Sequence, residues 1–189
     1  MNKKQGVAVV FAGGKSSRMG EDKALLPFGK YGTLSEFQYA RLSAWFHKVY
    51  LSTKEKKFDF TDALIFDCQK ESSPLVGIIS VFEALDADEV FILSVDMPFV
   101  DKEIIRILQK NNSQQWDAIV AKSPKGIQPL CGFYKKSILS FARNRLAMGD
   151  HRLQSLLEEA KTHYVVFDSD MPFANLNTPE DYQDALRII

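Results

Sequence analysis

Val90 to Val95, VFILSV, constrains the fold more than any other stretch of the chain. It is apolar but for one serine, so it lacks the in–out alternation of a half-solvated strand. A strand of that composition needs cover on both faces, which is the environment of a parallel sheet between helices. Residues 6–12, 48–53, 62–67, 89–95, 117–122 and 163–168 read as strands of this kind. Between them, TLSEFQYARLSAWF, LVGIISVFEAL, KEIIRILQK, KSILSFARNRLA and DYQDALRII carry apolar residues at three- and four-residue steps, the period of an amphipathic helix. The alternation predicts an α/β fold of three layers, a mostly parallel sheet between helices. QPLCGFYKK, from Gln128, is expected to add a strand near the edge.

Local signals place some boundaries. The last helix opens at TPED, with Thr178 as N-cap, Pro179 at the first helical position and an acid at the third. Asp101 reads as the cap of the helix after Pro98. His47 is expected at the end of the first helix, as a cation near its C-terminus. FHKVY and KEKK read as ordinary amphipathic or solvated stretches. No repeat, linker or composition break appears, so residues 1–189 are expected to form one domain.

Composition excludes several classes. The chain is 46% hydrophobic and 25% charged, which fits a soluble globular protein and not a disordered one. Lys+Arg and Asp+Glu each number 24, so no global basic excess points to nucleic acid or to an anionic membrane. Any anion site must be local. The start, MNKKQGVAVVFAGGK, is basic then apolar, but its apolar core is short and runs into GGKSSRMG without a cleavage site. It reads as a first strand in a cytoplasmic protein. Cys68 and Cys131 read as reduced thiols. His47, His151 and His163 are scattered and form no metal-hydrolase pattern, and no G-x-S-x-G anchors a hydrolase triad.

Parallel sheets bind ligands beyond the carboxyl ends of their strands. The first strand leads into GGKSSRMGEDK. Its glycines let backbone approach a ligand, successive N–H groups can cradle an anion, and Lys15, Arg18 and Lys23 add cations suited to phosphate oxygens. The spacing excludes two common phosphate loops. G-x-x-x-x-G-K-[ST] fails because five residues separate Gly14 from Gly20 and Glu21 follows, and G-x-G-x-x-G fails because Gly13 and Gly14 are adjacent. The physics alone leaves two readings, a polyphosphate site or a solvated turn with surface charges.

FAGGKSSRMGEDK strongly resembles the L-A-G-G-x-S-x-R-M-G-x-D-K signature of the molybdenum cofactor guanylyltransferase family, with Phe11 where leucine is usual. The resemblance runs from residue 7 to about 182. It implies a Rossmann-like nucleotidyltransferase fold and transfer of GMP from GTP to the terminal phosphate of molybdopterin, with release of pyrophosphate. It implies nucleotide binding by Phe11, Ala12, Gly13, Gly14, Lys15, Lys23, Asp67 and Asp96, and catalytic roles for Lys23, Arg18 and Asp96. SVDMPFV resembles the family's Asp-x-Pro motif and makes Asp96 the expected ligand of Mg²⁺. A hard divalent cation wants such a carboxylate, although an Asp there can also cap a helix. SPLVGI, Ser73 to Ile78, resembles the segment beside the guanine base, with Ser73 replacing a glycine and Val76 an alanine. Asp67 aligns with the acid that reads guanine, which a carboxylate can do by accepting from N1–H and N2–H₂; an exposed strand-end Asp is the alternative. Ser52 or Thr53 occupies the place of a polar residue lining the nucleotide site.

On the acceptor side, QPLCGFY, GDHRLQSLL and FANLNTPED resemble the pterin-facing segments. Arg152, Asn175 and Asn177 are the implied pterin contacts, with turn chemistry the other reading of the asparagines. The implied partners are GTP, molybdopterin, the molybdenum-insertion enzymes and the molybdoenzymes that accept the finished cofactor. Two other functions stay open from the residues. One is a cytidylyl or other small-phosphate nucleotidyltransferase, and the other is a nucleotide-binding module without catalysis.

Overall fold

The computed structural model describes residues 5–14, 20–69 and 73–189. Seven strands form one sheet: β1 (Gln5–Phe11), β2 (Phe46–Thr53), β3 (Leu64–Phe66), β4 (Glu89–Ser94), β5 (Ala118–Ser123), β6 (Gly126–Lys135) and β7 (Thr162–Val166). Their order is β3-β2-β1-β4-β6-β5-β7. β1 pairs in parallel with β2 and β4, β2 with β3, and β5 with β7. β6 runs antiparallel to both of its neighbours, β4 and β5.

The helices are α1 (Leu34–Ser43), α2 (Pro74–Ala84), α3 (Lys102–Lys110), α4 (Ile138–Ala147), α5 (Leu153–Glu159) and α6 (Pro179–Ile188). They cover both faces of the sheet, and the strand side chains divide between two cores. Ala8, Val10, Phe91 and Leu93 pack with α1, α3 and α6 through Leu34, Leu42, Ile104, Leu108 and Ala185. Val9, Phe11, Val90 and Ile92 pack with α2, α4 and α5 through Leu75, Ile78, Val81, Ile138 and Leu156. This is why VFILSV has no polar face: its odd and even residues enter different cores. The α/β, three-layer expectation holds.

The expected caps are present. Thr178 accepts from Asp181 N–H while Asp181 accepts from the Thr178 backbone, a capping box, and Asp101 accepts from Ile104 N–H. Backbone hydrogen bonds from Thr178 and Asn177 hold the Asp181 carboxyl below its usual range.

Three expectations need correction. β6 lies inside the sheet and not near its edge. Proline disfavours an interior strand because it lacks a ladder donor. Here the register jumps from Val120↔Gly132 to Ala121↔Gln128, so Pro129 falls opposite an irregularity and no ladder hydrogen bond is required of it. Tyr134, fully buried, donates its hydroxyl to Pro129 O and secures the excursion. His47 is the second residue of β2, because α1 ends at Ser43 and the chain turns into the strand at Phe46. Lys57, within KEKK, is not a solvated cation: its side chain is only 14% exposed and pairs with Asp22.

No helix among the described residues is long and apolar enough to cross a membrane. Cys68 is exposed, Cys131 is buried, and both are free thiols.

Candidate active site

The sheet order reverses at β1: β2 and β3 lie to one side, β4 to the other. Chains leaving adjacent strands in opposite directions open a crevice at their carboxyl ends. The segments after β1 and β4 line it. Val95 N–H donates to Phe11 O at 3.0 Å and Ala12 N–H to Ser52 O at 2.9 Å, so sheet pairing continues to the rim. Gly13 and Gly14 then stand exposed. Lys15 and Arg18 lie outside the described residues. The chain is described again from Gly20, whose φ of +72° is a left-handed conformation that glycine adopts without strain.

Asp22 caps the short 3₁₀ turn Lys23–Leu25, accepting from Ala24 N–H at 3.0 Å. That turn aims Lys23 across the crevice. Its ammonium donates to Asp96 Oδ2 at 2.7 Å and to Leu176 O at 3.0 Å, with Asn177 Oδ1 at 3.4 Å. Asp96 Oδ1 accepts from the Ser94 hydroxyl at 2.6 Å. Lys23 and Asp96 side chains are each 16% exposed, so the pair is largely shielded from water but reachable from the crevice. Asp96 O accepts from Leu176 N–H at 3.0 Å, which ties the FANLNTPED segment to the end of β4.

A cavity of about 510 Å³ opens beside Asp96. Asp96, Gln128, His151, Arg152, Asn175 and Asn177 are among its lining residues. The irregularity in β6 brings Gln128 here, because the antiparallel strand begins at the end where β4 finishes. Arg152 forks onto Asp150 at 2.9 and 3.1 Å, and this pairing holds the Asp150 carboxyl well below the usual carboxylate range. The structure thus gathers Asp96, Arg152, Asn175 and Asn177 around one space, with Lys23 joined to it through Asp96 and Asn177.

Asp67 lies outside that space. It follows β3, with its N–H donating to Thr53 O at 3.3 Å, three strands away from β4. Three strand spacings make roughly 14 Å. Ser52 and Thr53 are both buried beneath the start of the loop. Phe11 is buried as well, so its ring is a core group and only its backbone reaches the rim. Ser73 caps α2 by accepting from Val76 N–H and also bonds His151 Nδ1 at 3.0 Å, joining the SPLVGI and GDHR segments.

Sequence reasoning missed the braces behind Asp96. Gln38 on α1 is fully buried, and its amide donates to Val95 O at 3.2 Å and Met97 O at 3.0 Å. Arg41, one turn on, donates to Pro98 O and to Val100 O and to Gln38 Oε1, the last two at 2.8 Å. Burial lowers the Arg41 pKa to about 10, so it stays cationic at neutral pH. A signal existed: Leu34, Gln38 and Leu42 fall four apart on one helix face, and a polar residue between two core leucines marks a buried hydrogen-bonding group. Replacing Gln38 by leucine strands carbonyls of the Asp96 turn, and the expected loss is about 1–3 kcal/mol in urea unfolding. An unchanged midpoint would show that the turn holds without α1.

Residues 8–166 match the family described as the MobA-like NTP transferase domain. The chain is 38% identical over 178 residues to the molybdenum cofactor guanylyltransferase of Campylobacter jejuni subsp. jejuni serotype O:6, covering 93% of this chain and 92% of the relative. It belongs to the molybdenum cofactor guanylyltransferase family. The enzyme of that name from Helicobacter pylori strain G27 is 34% identical over 187 residues, with 96% and 92% of the two chains covered. Membership makes this chain a nucleotidyltransferase. Among solved structures, the molybdopterin-guanine dinucleotide biosynthesis protein A of Archaeoglobus fulgidus superposes with a TM-score of 0.81, covering 96% of this chain and 97% of its own. At 22% identity that likeness speaks for the fold alone.

Proposed function

We propose that the chain, acting as one domain over residues 1–189, transfers GMP from GTP to the terminal phosphate of molybdopterin and releases pyrophosphate. The observation that carries the reading is the Lys23–Asp96 pair at the strand-order reversal, whose Asp96 shares a cavity with Arg152, Asn175 and Asn177. Family membership supports it.

GTP spans the crevice. The base lies toward Asp67, whose carboxylate accepts from the guanine N1–H and N2–H₂ edge. The roughly 14 Å from β3 to β4 suits a nucleotide laid across β2 and β1. The triphosphate meets the loop after β1. The Ala12 amide is engaged by Ser52, so the amides offered to phosphate begin at Gly13 and Gly14. Lys15 and Arg18 complete the expected set of phosphate cations. Lys23 places its ammonium where charge develops on the transferring group, and it is held there in advance by Asp96 and Leu176 O.

The Asn175 and Asn177 amides pair with the pterin, and Arg152 takes an anionic group of the acceptor. A terminal phosphate oxygen of molybdopterin attacks the α-phosphorus. The α–β bridging P–O bond breaks and its electron pair leaves with pyrophosphate. A phosphomonoester is already nucleophilic, so no protein base is required, and catalysis comes from position and electrostatics.

A divalent cation fits this site. Mg²⁺ usually takes one or two carboxylates with waters and substrate phosphates, and Asp96 offers one such carboxylate to the cavity. Asp96, with Ser94 beside it, would hold Mg²⁺. When bound, that ion neutralises phosphate charge. We place the enzyme in the cytoplasm, working between the enzymes that insert molybdenum and the molybdoenzymes that accept the cofactor.

Purified protein incubated with GTP and molybdopterin is expected to form pyrophosphate and the guanine dinucleotide in equal amounts, and neither without the acceptor. Product from CTP in preference to GTP would move the activity to the cytidylyl branch. No product from any nucleoside triphosphate would overturn the reading.

A further inference from the structure

We infer that Lys57 is a positioning residue of the nucleotide site: it ties the two ends of the phosphate loop together and cancels a carboxylate charge at its mouth. The inference rests on the reading that this loop binds the triphosphate of GTP.

Lys57 follows β2, in the connection to β3, and nothing in its charged neighbourhood singles it out. Its ammonium donates to Ala12 O at 3.2 Å and to Asp22 Oδ2 at 2.5 Å. Ala12 is the last residue before the glycines, and Asp22 is the residue before Lys23. One side chain therefore bridges the entry and the exit of the loop. The Phe58 ring lies 5.4 Å from the ammonium and flanks it with an aromatic surface. The pair is shielded, with side chains 14% and 33% exposed.

The electrostatic consequence follows from Asp22. Its other oxygen caps the turn that aims Lys23, so the carboxyl group has a structural duty at that position. An unpaired carboxylate beside an anion site repels phosphate, and partial shielding from water strengthens that repulsion. Lys57 supplies the opposite charge at hydrogen-bond distance. It acts on the triphosphate through the Asp22 charge, with its bond to Ala12 O holding the ammonium in place, and does not touch phosphate.

This arrangement separates a positioning role from a merely structural one. Asparagine at position 22 keeps the oxygen that caps Ala24 but removes the charge. Calorimetric titration with tripolyphosphate and with GTP, beside thermal melting, is carried out on wild type, K57M, K57R, D22N and K57M/D22N. K57M is expected to lose on the order of tenfold to a hundredfold in affinity for both probes. K57R retains most of it. The K57M/D22N double variant recovers most of the loss and binds within about twofold of D22N alone, because the benefit of Lys57 runs through Asp22.

The double variant carries neither charge, so its comparison with D22N decides even if K57M does not fold. A further tenfold loss on adding K57M to D22N would show that the benefit of Lys57 does not run through the Asp22 charge, and would overturn the inference. Wild-type affinity in K57M, or a K57M defect confined to melting temperature, would overturn it as well. A wild-type protein that binds neither probe would instead overturn the triphosphate reading, and this inference with it.

Discussion

Replacing Lys23 by alanine is expected to reduce turnover by about a hundredfold or more, the loss seen when one preorganised donor to a developing oxyanion is removed. Lys23 bridges segments far apart in the chain. Its ammonium joins the turn after the glycine loop to Asp96, 73 residues on, and to Leu176 and Asn177 near the C-terminus. Alanine removes a cation from the proposed path of the triphosphate and leaves the Asp96 carboxylate without its 2.7 Å partner. Two measurements separate chemistry from folding: the initial rate of pyrophosphate release at saturating GTP and acceptor, and circular dichroism of the same preparation. A native spectrum with a collapsed rate is the expected pair of results. Near-normal product formation would remove Lys23 from the catalytic role.

The largest effect on stability is expected at Gly132. A Cβ built there would lie 2.4 Å from Ile119 O and 3.0 Å from Val120 Cα. Both contacts are to the backbone of β5, and Gly132 pairs with Ile92 on β4 across its other edge. No side chain can swing aside, so Gly132→Ala must push β5 and β6 apart in the middle of their pairing. Overpacking of this kind costs about 3 kcal/mol or more. For a chain of this length that corresponds to a fall of roughly 6–12 °C in the midpoint of thermal unfolding. Gln128 lines the cavity beside Asp96 from the same strand, beyond the irregularity at Pro129, so a folded variant should also bind the proposed acceptor more weakly. A melting temperature within a degree of wild type would mean that β5 and β6 have room the structure does not show.

The sheet was legible because its physics is local. VFILSV must be covered on both faces, and the helical stretches between the strands supply that cover. The caps at Asp101 and Thr178 are equally local, each decided within four residues. What escaped were features that depend on who lies next to whom. QPLCGFYKK reads as a strand near the edge, and only the shift between Val120 and Ala121 shows how Pro129 is accommodated inside the sheet. His47 reads as a helix end because TLSEFQYARLSAWF keeps its period past the point where α1 stops at Ser43.

The same division holds in the site. Lys23 and Asp96 stand out because each follows a strand and carries a family motif, and Asn175 and Asn177 stand out through theirs. Gln38 left a weaker trace, a polar residue on a core-facing stripe. Lys57 left none, because a charged run on a loop looks the same whether it is solvated or folded against the ends of the glycine loop.

Binding of GTP at a site formed by Asp96 is tested most directly by calorimetric titration with GTP, CTP and ATP, each with and without Mg²⁺, on wild type and on Asp96→Asn. Selective binding of GTP that tightens with Mg²⁺, and loses that dependence in the variant, is the expected result. Selective binding of CTP, or a metal dependence unchanged in Asp96→Asn, would contradict it.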